Sequence, residues 1–117
     1  MPLDQTWQEF IAAMLSGQYF AAHEILEIPW RAGKDHRLQI AIWIAAAYVH
    51  ATRQHPTGAH RIFARILDDG AMDDPELRRF IEARLREVEA GLHPAAPDTV
   101  LLTQLHQWAE NNNPDTR

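Results

Sequence analysis

The sequence predicts an all-α fold, a compact single-domain bundle of five to six helices spanning residues 1–117. Three observations lead there. Apolar residues recur at helical spacing in segment after segment, and capping residues, glycines and prolines punctuate those segments. No stretch alternates apolar and polar residues as a half-buried strand does. With 46% hydrophobic and 23% charged residues, a chain of 117 residues can bury a core without staples.

Each element has its own signals. Thr6-Trp7-Gln8-Glu9 has the form of a capping box, in which hydroxyl and carboxylate satisfy early amides reciprocally. Trp7, Phe10, Ile11 and Met14 then carry a first helix to Ser16, and Gly17 suits a left-handed stop. The second helix occupies Gly17–Trp30. Pro29 lacks an amide hydrogen and crowds the Ile25 carbonyl, so a kink or an end is expected there, with Gly33 finishing the turn. Asp35 caps a third helix reaching Gln54. From Leu38 to Val49 only Gln39 and the tips of Trp43 and Tyr48 are polar, which places this helix in the middle; Ala45, Ala46 and Ala47 permit close approach.

Thr57 is the expected cap of a fourth helix, which buries Ala59, Ile62, Phe63, Ile66 and Leu67 and ends at Gly70. Asp74-Pro75-Glu76 starts a fifth, with Leu77, Phe80, Ile81, Leu85 and Val88 inward and Gly91 as its stop. Its Arg78, Arg79, Arg84 and Arg86 are matched by Glu76, Glu82, Glu87 and Glu89 in an outer face of salt bridges. After the rigid connection His93–Pro97, Asp98 or Thr99 caps a last helix over residues 98–111. Its Leu101, Leu105 and Trp108 form a narrow stripe, and Asn111-Asn112-Asn113-Pro114 ends it.

Composition excludes several classes. Without cysteine there are no disulfides, thiolate metal sites or thiol catalysis, which fits a reducing cytoplasm. The start of the chain lacks the basic and apolar regions of a signal peptide. The oily run Ile40–Ala47 is far short of the roughly 20 residues that span a bilayer, so no membrane is expected. A net charge of −5 argues against nucleic acid as a partner. A homodimer through Leu101, Leu105 and Trp108 fits the pattern as well as packing of that stripe on its own domain.

The chemistry gathers on two helices. On the second, Phe20, His23, Glu24 and Glu27 share one sector with Trp30 at its edge. On the third, His36, Gln39, Trp43 and His50 fall within about 60° of one another, and the two stripes are expected to face each other. The ligand-site candidates are therefore His23, Glu24, Glu27, Trp30, Gln39, Trp43 and His50, with the two tryptophans as walls. His23 and Glu27, four apart, can close on a divalent metal ion with His50 as third ligand, while Glu24 completes the shell or acts as a base.

Yet His-Glu-x-x-Glu departs from the zinc-protease pattern His-Glu-x-x-His, and no second Glu-x-x-His helix exists for a di-iron bundle. A metal site, a small-molecule site, a buried polar network that fixes helix register and a plain solvent-exposed strip all remain open, and no reaction is specified. Around the fourth helix start, Arg53, His55, His60, Arg61 and Arg65 form either an anion site or a solvated turn. His93 and His106 lie outside these patterns and receive no role.

Gly17-x-Tyr19-x-x-x-His23-Glu24-x-x-Glu27-x-x-Trp30, followed by Leu38-Gln39, Ala45–His50 and Gly58-Ala59, resembles domain-of-unknown-function family 309. The likeness covers Phe10 to Leu67. Ile40 stands where the family usually carries Gly, and Trp43 where it often carries another polar residue. The resemblance implies an all-helical fold and a site at the His-Glu-x-x-Glu-x-x-Trp core, and no established activity.

Overall fold

Asp35, Asp74 and Asp98 begin three of the helices as anticipated, each accepting hydrogen bonds from first-turn amides through its carboxylate. The computed structural model describes residues 3–111 and contains six helices: α1 (Leu3–Leu15), α2 (Tyr19–Gly33), α3 (His36–Thr52), α4 (Pro56–Asp68), α5 (Pro75–Glu89) and α6 (Thr99–Glu110). The Asn112–Pro114 part of the expected final stop lies outside the described residues. Among those residues there is no strand, and no helix is long and apolar enough to cross a membrane.

The apolar helix is central, as its composition requires. α3 packs against α2 on one side and α4 on the other, and also touches α6. Ile40, Ala41, Ala45, Ala47 and Tyr48 are fully buried. α1 contributes Trp7 and Phe10, edge to face at 5.4 Å, and α4 contributes Phe63, whose ring meets Tyr48 at 5.9 Å.

Several boundaries differ from the sequence reading. α1 begins at Leu3, so Thr6 is a buried position inside the helix and the Thr6–Glu9 box is not its start. α2 runs through Pro29 to Gly33, and the left-handed residue that closes it is Lys34 (φ 55°), not Gly33. Pro29 lies four residues before Gly33 and leaves the Ile25 carbonyl without its amide donor, yet α2 continues past it. α4 starts two residues earlier than a Thr57 cap would set it, with Pro56 at its first turn and His55 as a cap without a side-chain hydrogen bond. The missing amide of Pro56 costs nothing at that position.

The outer face of α5 is only partly laced. Arg84 forms a two-point bond to Glu87 (2.7 and 2.9 Å), whereas Arg78 donates to the carbonyls of Leu67 and Met72 and so covers the end of α4. The α6 stripe packs on its own domain: Leu105 and Trp108 are buried, and Leu101 is half-buried. Trp108 is also tied down polarly, its indole donating to Asp73 (2.9 Å) and its carbonyl accepting from Arg37 (2.6 Å).

Candidate functional site

Helix α2 turns Tyr19, Ala22 and Leu26 toward the core, which leaves His23 and Glu27 on the flank of that stripe, each about three-quarters buried. Nδ1 of His23 lies 3.3 Å from Oε1 of Glu27, but the geometry makes no hydrogen bond and that nitrogen is enclosed without a partner. The other oxygen of Glu27 accepts from the exposed Arg31 guanidinium at 2.9 Å. Phe20, half exposed, lies nearly parallel to the His23 ring at 6.1 Å. Glu24 is exposed, and Trp30 carries the Lys34 ammonium 4.0 Å above its ring.

The α3 stripe engages α4 and the residues just beyond it. His36 meets Asp69 (2.7 Å) and Gln39 (3.3 Å), the Arg65 guanidinium covers Trp43 at 4.5 Å, and the His50 ring lies against Gly58. Among the described residues, no hydrogen bond, ion pair or ring contact joins His23, Glu24, Glu27 or Trp30 to Gln39, Trp43 or His50. The expected metal set His23, Glu27 and His50 is not brought together either. Among the described residues, the group of three whose ligand atoms all lie within 4.8 Å of one another is Asp4, His106 and Glu110.

Where α2 does meet α3, its first turn faces the end of that helix. Tyr19 stacks on Tyr48 at 4.9 Å, and burial raises the pKa of both phenols. Beside this stack opens a cavity of about 300 Å³ lined by Gln18, Tyr19, Phe20, Val49, Thr52 and Arg53. The exposed Arg53 guanidinium stands 5.5 Å over the Phe20 ring, and no carboxylate pairs with it among the described residues. Gln18, the cap of α2, offers no side-chain acceptor to the first-turn amides.

The Arg53–Arg65 junction is thus divided. Arg53 serves the α2–α3 cavity, Arg65 covers Trp43, and His60 pairs with Glu89 of α5 at 3.1 Å. Two groups assigned no role in the sequence reading matter here. Tyr48 fastens the connection before α6 by donating to the Ala95 carbonyl. His106 sits against Glu110 and Asp4, and the His-x-x-x-Glu spacing it shares with His23 and Glu27 was the available signal.

The fold and this geometry define a small all-α bundle whose second helix carries a largely buried histidine–carboxylate pair. Over residues 7–62, from Trp7 in α1 to Ile62 in α4, the chain matches the model of the family described as Domain of unknown function (DUF309). No curated protein and no solved structure matches the chain.

Proposed function

We propose that the chain is a cytoplasmic binding module whose ligand is a small organic carboxylate, held at the seam between the start of α2 and the end of α3. The observation that carries this reading is Arg53: a guanidinium without a carboxylate partner, above an exposed phenyl ring, at the edge of a cavity. The positive end of α2 adds to the attraction for an anion. Tyr19, Phe20 and Val49 suit an apolar body. One turn along α2, His23 and Glu27 supply hydrogen-bonding capacity for a donor on the ligand, the Glu27 carboxylate lying 3.3 Å from the ring nitrogen. The net charge of −5 and the absence of cysteine support the non-nucleic-acid and cytoplasmic parts of the reading.

Three probes test it by chemical-shift titration of the full chain: phenylacetate, 4-hydroxyphenylacetate and the neutral 2-phenylethanol. The carboxylates should bind better than the alcohol, and Arg53→Gln should erase that preference. His23→Gln should erase the advantage of the hydroxylated probe. Unmoved resonances at residues 17–23 and 49–53 at about 10 mM probe, where even millimolar fragment binding registers, would reject the site.

A second reading, an interaction module that associates with its own copy, is favoured by one observation. α1 and α2 leave a groove of about 570 Å³ lined by Leu3, Ile25, Ile28, Pro29 and Ala32, with Ile28 72% exposed. Sedimentation of wild type beside Ile28→Glu decides it. A dimer that the substitution splits supports self-association, and a monomer in both removes it.

A further inference from the structure

We propose that Asp4, His106 and Glu110 form a divalent-metal site, best suited to zinc, that clamps the start of α1 to the end of α6. The site lies outside the segment matched to the family and is independent of the α2 cavity.

His106 and Glu110 are one turn apart on α6, and Asp4 reaches them from the first turn of α1, which packs on α6. Nε2 of His106 is 3.4 Å from Oε1 of Glu110 and 3.7 Å from Oδ1 of Asp4. The nitrogen and the Glu110 oxygen are both enclosed, and neither has a hydrogen-bond partner. Enclosed polar atoms are nearly always satisfied, so the pair calls for an explanation.

The spacing supplies one. A tetrahedral zinc ion with bonds of about 2.0–2.1 Å holds its ligand atoms about 3.3–3.4 Å apart. The two separations from Nε2 are long for hydrogen bonds, the 3.4 Å one matches that tetrahedral edge, and all three ligand atoms lie within 4.8 Å of one another. The imidazole is aimed rather than free: its ring stacks on the buried Trp7 at 4.8 Å and 16°. That contact directs Nε2 toward the two carboxylates.

The donor set narrows the ion. One imidazole and two carboxylates exclude a structural thiolate site and disfavour magnesium and calcium, which take oxygen alone. Three protein ligands leave a fourth position for water. Because the ligands come from the first and last helices, the bound ion would close the bundle and stabilise the folded state.

The test uses the full chain without a histidine tag, stripped of metal and titrated with zinc chloride by calorimetry, with the melting temperature followed in parallel. One equivalent should bind and raise the melting temperature. His106→Gln and Glu110→Gln should each weaken binding by about tenfold or more through loss of a direct ligand. Asp4→Asn should also weaken it, and Asp4 is 85% exposed, so this variant decides the matter if an α6 variant fails to fold. His23→Gln and His50→Gln should leave binding unchanged. The proposal is overturned if wild type takes up no zinc, if Asp4→Asn binds as wild type does, or if binding disappears in His23→Gln.

Discussion

A methyl group added at Gly58 would stand 2.5 Å from Nδ1 of His50 and 2.9 Å from its Cγ, closer than real side chains approach. The absence of a side chain at residue 58 is what lets α4 cross α3 with an imidazole between them. Elsewhere in an exposed helix, Gly→Ala is favourable by about 1 kcal/mol. Here that gain meets a clash of the kind that costs about 1–3 kcal/mol. Gly58→Ala should therefore destabilise the wild-type chain in urea but stabilise a His50→Ala chain. The same sign in both backgrounds would show that His50 does not govern the crossing. The pairing of Gly58 with His50 was not legible in the sequence, where both residues were noted for other reasons. Their contact depends on how two helices are set, and spacing along either one is silent on that.

Among the elements, the caps separate what local chemistry settles from what packing settles. Asp74 accepts from the amides of Glu76 and Leu77 (both 3.0 Å), and its second oxygen accepts from Gln104 of α6 at 2.8 Å. Asp35 makes only the cap. Asp35→Ala should cost about 1 kcal/mol, the usual loss for a cap. Asp74→Ala should cost about 1 kcal/mol more, because Gln104 also loses its acceptor. Equal losses in denaturant would mean that the α5–α6 bond contributes nothing.

These caps could be read in advance because acid, spacing and proline act within one turn. Thr6 misled because Thr-x-x-Glu is also tolerated inside a helix, and the earlier start brings Asp4 over α6. At Pro29 a kink or an end was expected, and α2 does not end there but runs one more turn to Gly33.

Taken whole, the molecule is tied together by carboxylates that bridge distant parts of the chain. Asp69 is held below its ordinary value of 3.8 by the Ala71 amide and then by His36. Asp73 is lowered by the Trp108 indole and then by Arg37, which links α3, the loop before α5 and α6. Glu87 is lowered by Arg84 and by the Ala95 amide. A lowered carboxylate stabilises the fold above its unfolded value and loses that effect as pH falls through its folded value. Stability set by these groups should hold down to about pH 5 and fall below about pH 4. Asp73→Asn should flatten that fall, and an unchanged acid limb would exclude Asp73 from it.

At this scale the bundle and its central helix were legible, because an apolar α3 can only be surrounded. The joining of the site was not. The α3 stripe found its partners in Asp69, Arg65 and Gly58 rather than on α2, and the Asp4–His106 approach links residues at opposite ends of the chain.

The central claim is that the His23–Glu27 pair belongs to a binding site and does not brace the fold. It is tested most directly by the urea midpoint of Glu27→Gln beside wild type near neutral pH. The pair is a quarter exposed, its close approach makes no hydrogen bond, and the other Glu27 partner, Arg31, is exposed. Stability should stay within about 0.5 kcal/mol of wild type, as for a surface ion pair. A loss of about 2 kcal/mol or more, the cost of breaking a buried bond to a charged group, would contradict the claim and make the pair part of the architecture.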